Sequence, residues 1–302
     1  MTKCEYLSPM EDSIHLKYLA VGPNDLLWGM AVNSVGFQNV KAGEPYPPQG
    51  HPSRYLFTRE RGRTLDEYQL LYLTRGKGTF KSASVPNSVS VQKGSFFLLF
   101  PGEWHSYAPD SDTGWKEYWI GFKGPQMDTW VKNGFFTPAK PVWNVGLQSD
   151  VVELYMEAIN TADKQESGFQ QRLSGVVSHL LSLAWFRARN EAFSESAQQM
   201  NKAKILIADK YNTIRPQEIA EHLCMGYTNF RRIFKDYTGF SPAKYIKLVR
   251  MNHVKEALTN TNLPVNQIAF DAGYENEDYF FTAFRQYTGM TPLEYRSFTQ
   301  GK

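Results

Sequence analysis

The sequence predicts an α+β multidomain fold: an N-terminal antiparallel β-sandwich or barrel with helices after it, then an all-α C-terminal domain. Three observations carry this. Short aromatic and β-branched runs between residues 40 and 125 are punctuated by glycines, the apolar period becomes helical from Asp150, and a twelve-residue pattern recurs within the last hundred residues.

The strand-like runs are Gln69 to Thr74, Thr79 to Lys81, Ser88 to Val91, Ser95 to Phe100 and Lys116 to Phe122, separated by Gly76, Gly78, Asn87, Gly94, Gly102 and Gly114. Many short, closely spaced strands imply antiparallel pairing. Val151, Val152, Leu154, Tyr155 and Ala158 form one helical stripe, and Leu173, Val176, Val177, Leu180, Leu181 and Ala184 form a second. Asn190 to Gln199 is polar and small, as a linker would be. The expected organisation is therefore a β domain over 1–145, a helical pair over 146–190, a linker over 191–199 and a helical domain over 200–302.

The repeat pairs Phe234-Lys-Asp-Tyr-Thr-Gly-Phe-Ser-Pro-Ala-Lys-Tyr245 with Phe284-Arg-Gln-Tyr-Thr-Gly-Met-Thr-Pro-Leu-Glu-Tyr295. In the first copy Pro216 opens a helix through Leu223, Gly226 breaks it, and a second helix runs from Thr228 to Tyr237. In the second copy a helix over Asn266 to Ala272 stops at Gly273, and Asn276 caps one through Tyr287. Gly239 and Gly289 end these helices, and Ser241-Pro242 and Thr291-Pro292 start the next. Helix, tight turn and helix in duplicate are two helix-turn-helix units.

Composition narrows the class. The 302 residues carry 33 Lys plus Arg against 30 Asp plus Glu and are 42% apolar, enough for a real core. No apolar run approaches the roughly 20 residues of a membrane span, and the acidic start, with Glu5, Glu11 and Asp12, does not read as a signal peptide, so a cytoplasmic protein is expected. Cys4 and Cys224 cannot make a disulfide framework. Gly226 to Lys255 holds seven basic residues against Asp236 alone, which suggests either a polyanion site or a solvated helix face.

A helix-turn-helix lays its second helix in the DNA major groove. Phe230, Ile233 and Phe234 have core spacing, which turns Thr228, Asn229, Arg231 and Arg232 outward, and arginine grips guanine in a bidentate pair. The second unit starts with Glu277 and Asp278 followed by Tyr279, Phe280, Phe281 and Thr282, so it is expected to read less; Tyr279, Phe280 and Phe284 are expected in the core. Lys244, Lys247 and Arg250 lie along the long helix between the units as further DNA contacts. In the front half Arg61, Arg63, His105, Tyr107, Glu117, Tyr118 and Trp119 form a polar and aromatic cluster suited to a sugar, whose hydroxyls take the polar groups while an indole stacks on its C–H face. No Gly-x-Ser-x-Gly elbow, Walker loop, dinucleotide fingerprint or paired metal-binding histidine is present. Cys224 is expected to be a buried core residue. No enzyme and no cofactor is predicted; a sugar-modifying enzyme and a protein-binding front half are the readings of other classes.

The two Phe-Lys/Arg-x-Tyr-Thr-Gly-x-Ser/Thr-Pro-x-x-Tyr cores and the Gly273-Tyr274-x-Asn276 turn resemble the AraC/XylS family of bacterial transcription regulators over about Ala203 to Ser297. The front half, through Tyr68 to Gly78, Pro101-Gly-Glu-Trp-His-Ser-Tyr107 and Gly114-Trp115-x-x-Tyr118-Trp119-x-x-Phe122, is similar to that family's cupin-type sensor domain. The resemblance implies a metal-free jelly-roll (cupin-like) β-barrel that binds a small effector, most often in sugar-use regulators, with helices that pair in a homodimer. It further implies double-stranded DNA and RNA polymerase as partners and activation as the mode. By position it places effector binding on Arg61, His105, Tyr107, Glu117 and Trp119, with Glu117 standing where the arabinose-type pocket has histidine. It places base reading on Thr228, Arg231 and Arg232, and on Glu277, Asp278, Phe281 and Thr282, where Ser-Arg is usual at the last two positions.

Overall fold

The computed structural model describes residues 14–48, 50–192 and 194–301. The chain divides into two compact units, Met1–Glu191 and Ala192–Lys302.

Unit 1 is built on antiparallel strands β1 (His15–Tyr18), β2 (Ala31–Val40), β3 (Tyr68–Ser82), β4 (Val89–Gln92), β5 (Ser95–Leu99), β6 (His105–Pro109), β7 (Trp115–Lys123) and β8 (Val142–Asn144). The main sheet runs β1-β2-β7-β3-β5-β8, and β4 and β6 pair with the far end of β3. Two runs that read as separate strands, 69–74 and 79–81, are thus one long strand. Its first half pairs with β5 and β7 and its second half with β4 and β6, with a register shift against β7 between Leu73 and Arg75.

Both faces of the main sheet are buried there, so the first part of β3, Tyr68 to Leu73, reads as a nearly unbroken apolar run rather than an alternating one. Leu70 and Tyr72 point to one face, and Leu71 and Leu73 to the other. The inner face meets Phe80, Phe97, Tyr107, Trp115 and Trp119. A short helix α1 (Pro23–Leu27) lies between β1 and β2, and the outer face is covered by α2 (Pro125–Lys132), α3 (Ser149–Lys164) and α4 (Phe169–Ala192), whose Val151, Tyr155, Ala158, Leu173, Val177 and Leu180 pack on Phe37, Leu70, Tyr118 and Ile120. Tyr155 donates to the Leu70 carbonyl at 2.9 Å, and Gln170 makes two 2.9 Å bonds to the Val32 backbone. Both stripes expected on the helical pair are therefore used within the chain.

Unit 2 comprises α5 (Ser194–Asp209), α6 (Pro216–His222), α7 (Tyr227–Thr238), α8 (Pro242–Asn260), α9 (Val265–Asp271), α10 (Glu277–Thr288) and α11 (Pro292–Gln300). The stretch read as a linker is largely helical, being the end of α4 and the start of α5. Ala197, Gln198 and Gln199 are good helix formers, so a polar composition there does not unwind the chain.

The repeat has a physical basis that both copies share. Thr238 and Thr288 donate to the carbonyl four residues earlier, at 2.6 and 2.9 Å, and each hydroxyl also closes the following turn. Gly239 and Gly289 take φ +81, a left-handed stop open to glycine. Phe234 meets Tyr245, and Phe284 meets Tyr295, edge-on at 83°. α8 belongs to both copies, with Ile246 in the first core and Met251, Val254 and Leu258 in the second.

Two expectations fail here. Cys224 is exposed at φ +53 in the turn between α6 and α7, because the tight turn rather than the core claims that position. Tyr279 is 58% exposed while Phe280 and Phe284 are fully buried, so the core stripe of α10 passes beside Tyr279.

Leu180→Ala should lower the stability of unit 1 by about 2–5 kcal/mol, because it opens a cavity under the sheet. Chemical denaturation followed by Trp fluorescence checks this; an unchanged midpoint with a changed oligomeric state would mean that the stripe serves a partner instead.

Candidate functional site

Between the two faces of the unit 1 sandwich lies a small polar cavity lined by Gln38, Tyr46, His51, Arg63, Glu117 and Trp119, among others. Its volume is about 20 Å³, room for about one water. Strand alternation puts Glu117 and Trp119 on the cavity side of β7 and sends Tyr118, another member of the cluster read from sequence, to the helix-covered face.

Arg63 organises one wall. It donates to the His105 Nε2 at 3.3 Å, to the Tyr107 hydroxyl at 2.6 Å, to Gln69 Oε1 at 3.4 Å and to the Tyr55 carbonyl. All four acceptors are uncharged. Its guanidinium also lies 4.6 Å from the Phe57 ring centre and 5.6 Å from that of Tyr107, so ring faces supply part of its stabilisation.

The cavity arginine is thus Arg63, not Arg61. Gly62, at φ +60, packs where a Cβ would meet the Trp104 ring at 2.5 Å. That turn leaves the Arg61 side chain exposed and carries Arg63 inward, opposite His105. His105 is correspondingly a support behind Arg63 rather than a lining residue. Its Nδ1 donates to the Glu103 carbonyl at 3.0 Å, which leaves Nε2 as acceptor, and burial beside Arg63 holds it neutral, down at about 3.

The opposite wall is a relay of polar groups. The Tyr18 hydroxyl donates to His51 Nδ1 at 2.8 Å, His51 Nε2 donates to Gln38 Oε1 at 2.9 Å, and the Gln38 amide donates to Glu117 Oε1. Tyr46 adds a 2.9 Å donation to the same oxygen. Burial and the nearby Arg63 charge press His51 down to about 4. Glu117 is 1% exposed, and the Trp115 indole N–H joins Gln38 and Tyr46 in favouring its carboxylate. Burial pushes its carboxyl up to about 7 against the donations from Gln38 and Tyr46. Tyr18, Gln38, Tyr46, His51 and Gln69 were not found from sequence: the first four come from β1, β2 and the connection after β2, none of which carries a motif, and Gln69 lies within the Tyr68 to Gly78 motif without being singled out. Their only signal is polarity at inward strand positions, which Gln38 and Gln69 do show.

In unit 2, Thr228, Asn229, Arg231 and Arg232 are all exposed on α7, whose other side buries Phe230 and Phe234. Arg232 is tethered to Asn229 at 3.0 Å and Asp236 at 3.6 Å, whereas Arg231 makes no hydrogen bond or ion pair among the described residues. Glu277, Asp278 and Thr282 are exposed on α10, and Asn276 caps it by accepting from the Tyr279 amide at 2.8 Å. Lys244 is exposed and Lys247 half-buried on α8. Arg250 spends its guanidinium on backbone: it donates to the carbonyls of Tyr211 at 2.6 Å, Asn212 at 3.1 Å and Gly273 at 3.5 Å. Its place one turn beyond Lys247 turns it toward the two loops, which need their carbonyls satisfied.

The Glu117 environment sets a pH dependence. A carboxyl held above its ordinary value keeps its proton in the fold after the unfolded chain has lost it. Its contribution is therefore full below about 4.5 and disappears as pH rises to about 7. The neutral His51 and His105 act in the opposite sense, destabilising as acid charges them, so the comparison must be made against a variant. Thermal melts from pH 5 to 7.5 should show the parent losing on the order of 3 kcal/mol relative to Glu117→Gln; parallel profiles would contradict the buried carboxyl.

Comparison with known proteins fits both halves. An AraC-like ligand binding domain matches residues 50–197 and a helix-turn-helix domain matches residues 219–297. The chain is similar to the raffinose operon transcriptional regulatory protein RafR of Pediococcus pentosaceus, 27% identical over 80% of this chain and 88% of that protein. It is also similar to the Msm operon regulatory protein of Streptococcus mutans, 24% identical over 76% and 84%, and to the arabinose operon regulatory protein of Escherichia coli, 23% identical over 76% and 80%. Among solved structures, the C-terminal domain of AraT from Geobacillus stearothermophilus is 28% identical over 33% of this chain and 84% of that one, with a TM-score of 0.32. With a ligand-binding half and a duplicated DNA-binding half both matched, the chain belongs to the AraC/XylS family of transcriptional regulators.

Proposed function

We propose that this regulator activates carbohydrate-use genes, that a sugar bound in the unit 1 cavity is its effector, and that α7 carries most of its base reading. The carrying observation for the DNA half is Arg231, exposed and unpaired among its described neighbours beside Thr228 and Asn229 on the second helix of a helix-turn-helix. The acids that open α10 favour that helix's own N-terminus but repel phosphate, so the second unit docks more than it reads.

For the effector, the support is chemical. Glu117, Gln38, Arg63 and Gln69 are hydrogen-bonding groups suited to hydroxyls, Trp119 is a flat apolar wall, and the relatives named above include regulators of raffinose and arabinose operons. Room for about one water means that a sugar enters only by displacing Tyr46 and His51, whose bonds to Glu117 and Gln38 its hydroxyls then replace. Such a ligand shifts the protein toward the displaced arrangement, and with it the occupancy of DNA. A homodimer and contact with RNA polymerase belong to the same reading. Because the apolar stripes of α3 and α4 already pack on the sheet, pairing would use their outward sides.

Thermal shift across a panel of mono- and oligosaccharides tests the effector. A sugar at 100 times its Kd adds about 2.7 kcal/mol. It should stabilise the parent and Arg61→Ala but neither Arg63→Ala nor Trp119→Ala. If no sugar shifts the parent while proteins co-purify with unit 1, the front half binds a partner protein instead. On a duplex selected from a random library, Arg231→Ala should lose about 1–3 kcal/mol of discrimination at one base pair; equal loss at every sequence would make Arg231 a phosphate contact only.

A further inference from the structure

The unit 1 cavity holds a cation that no anion answers. Arg63 and Glu117 are the only groups described around it that ionise near neutral pH, because burial keeps the lining tyrosines protonated and, with the Arg63 charge, presses His51 down to about 4. Arg63 enters no ion pair among the described residues, and its acceptors are all neutral. Arginine has five N–H groups to place. The Nε group goes to His105, one Nη1 group to the Tyr55 carbonyl and the two Nη2 groups to Tyr107 and Gln69, which leaves the second Nη1 group over. The Gln69 bond, at 3.4 Å, is also the longest of the four.

The two buried acids nearby are committed elsewhere. Glu67, fully buried just before β3, accepts from Arg54 at 2.6 Å, from the Tyr55 hydroxyl at 3.0 Å and from the Gln69 amide at 3.0 Å. Gln69 thus gives its amide to Glu67 and its oxygen to Arg63, so a neutral group stands between carboxylate and guanidinium. Glu117, on the opposite wall, keeps its proton up to about 7 because burial outweighs the bonds it receives. A half-buried guanidinium with only neutral acceptors and a spare N–H gains most from an anionic one, since a charge-assisted bond is about twice as strong as a neutral one.

We propose that the effector is a sugar acid, a uronic or aldonic acid alone or within an oligosaccharide, whose carboxylate pairs with Arg63 through the spare Nη1 group and the N–H now given to Gln69. The inference rests on the reading of this cavity as a sugar-effector site and names the class of sugar. Such a ligand sets a second carboxyl near Glu117. The titratable or charged groups that face Glu117 are Tyr46 from the connection after β2, Tyr107 from β6 and Arg63 from the turn before β3, with His51 reached through Gln38. Both tyrosines hold their protons far above neutral pH, and His51 carries none there. Glu117 therefore makes the adjustment: it meets the sugar acid protonated and donates to it.

The test is calorimetric titration of the full chain at pH 6.5 and constant ionic strength, with each sugar acid set beside its neutral counterpart. The probes are D-galacturonate and D-galactose, D-glucuronate and D-glucose, and the disaccharides built from each, with acetate as the bare carboxylate. One acid should bind about tenfold tighter than its neutral counterpart, and acetate should not bind. Arg63→Gln should erase that preference, whereas Arg63→Lys should keep part of it and exposed Arg61→Ala all of it. Between pH 7 and 8.5, above the range of either histidine, the parent's affinity for the acid should fall about tenfold, and Glu117→Gln should flatten the profile. An acid and its neutral counterpart bound equally, or a preference undiminished in Arg63→Gln, overturns the proposal and leaves the sugar reading standing. Acetate bound as tightly as the acid overturns it as well. If Arg63→Gln melts lower than the parent, the parent's own pH profile decides, and a flat one overturns the proposal. A parent that binds neither sugars nor sugar acids removes both readings.

Discussion

Unit 1 depends on one constraint: β3 must serve two sheets at once. Its first half pairs with β5 and β7 and its second half with β4 and β6, so the strand has to turn without losing its ladder. Gly76 and Gly78 make the turn possible. A Cβ on Gly76 would stand 2.0 Å from the Gly114 carbonyl and one on Gly78 would stand 2.2 Å from that of Ala108, so neighbouring backbone fills the place of a side chain at both. Folding the sheet over itself encloses the inner faces of β3, β6 and β7. Everything about the cavity follows from that enclosure, including the polar groups that cannot reach water.

Enclosed polar groups are tolerable only when they satisfy one another. Arg63 does so with four uncharged acceptors and the rings of Tyr55, Phe57 and Tyr107, and the relay from Tyr18 to Glu117 does so with alternating donors and acceptors. The relay ends at Glu117, whose carboxylate the Trp115 indole N–H also favours. A site that replaces Tyr46 and His51 by ligand hydroxyls loses little hydrogen bonding in the exchange. The same network therefore keeps the fold around the cavity intact.

Legibility in the sequence tracks how local the cause is. The helix-turn-helix units were readable almost residue by residue, because Gly239, Ser241-Pro242 and their repeats act within one turn of the chain. The strands after residue 68 were readable as apolar runs, but β2 was missed: with both faces covered it shows no alternation, and Asn33, Ser34, Gln38 and Asn39 break its apolar character. Glu117, Tyr107 and Trp119 were found because they lie in or beside the aromatic runs and at positions the family resemblance marks, and all three line the cavity. Arg61 was preferred to Arg63 because the turn at Gly62, which decides which arginine enters, is set by the Trp104 ring forty-two residues away. The bonds of Arg250 were hidden for the same reason, its acceptors lying in loops 23 to 39 residues distant.

The two halves of unit 2 show where a duplicated scaffold becomes specific. Their buried positions match: Phe230 and Phe234 against Phe280 and Phe284, the same threonine bonds, the same glycine stops and the same edge-on ring contact. Their exposed positions do not, since Thr228, Asn229, Arg231 and Arg232 face Glu277, Asp278 and Thr282 in the other copy. Packing constrains the first set and only the partner constrains the second. Two matching frames held at fixed separation by α8 and Arg250 thus present unlike faces, one exposing Arg231 and Arg232 and the other exposing Glu277 and Asp278.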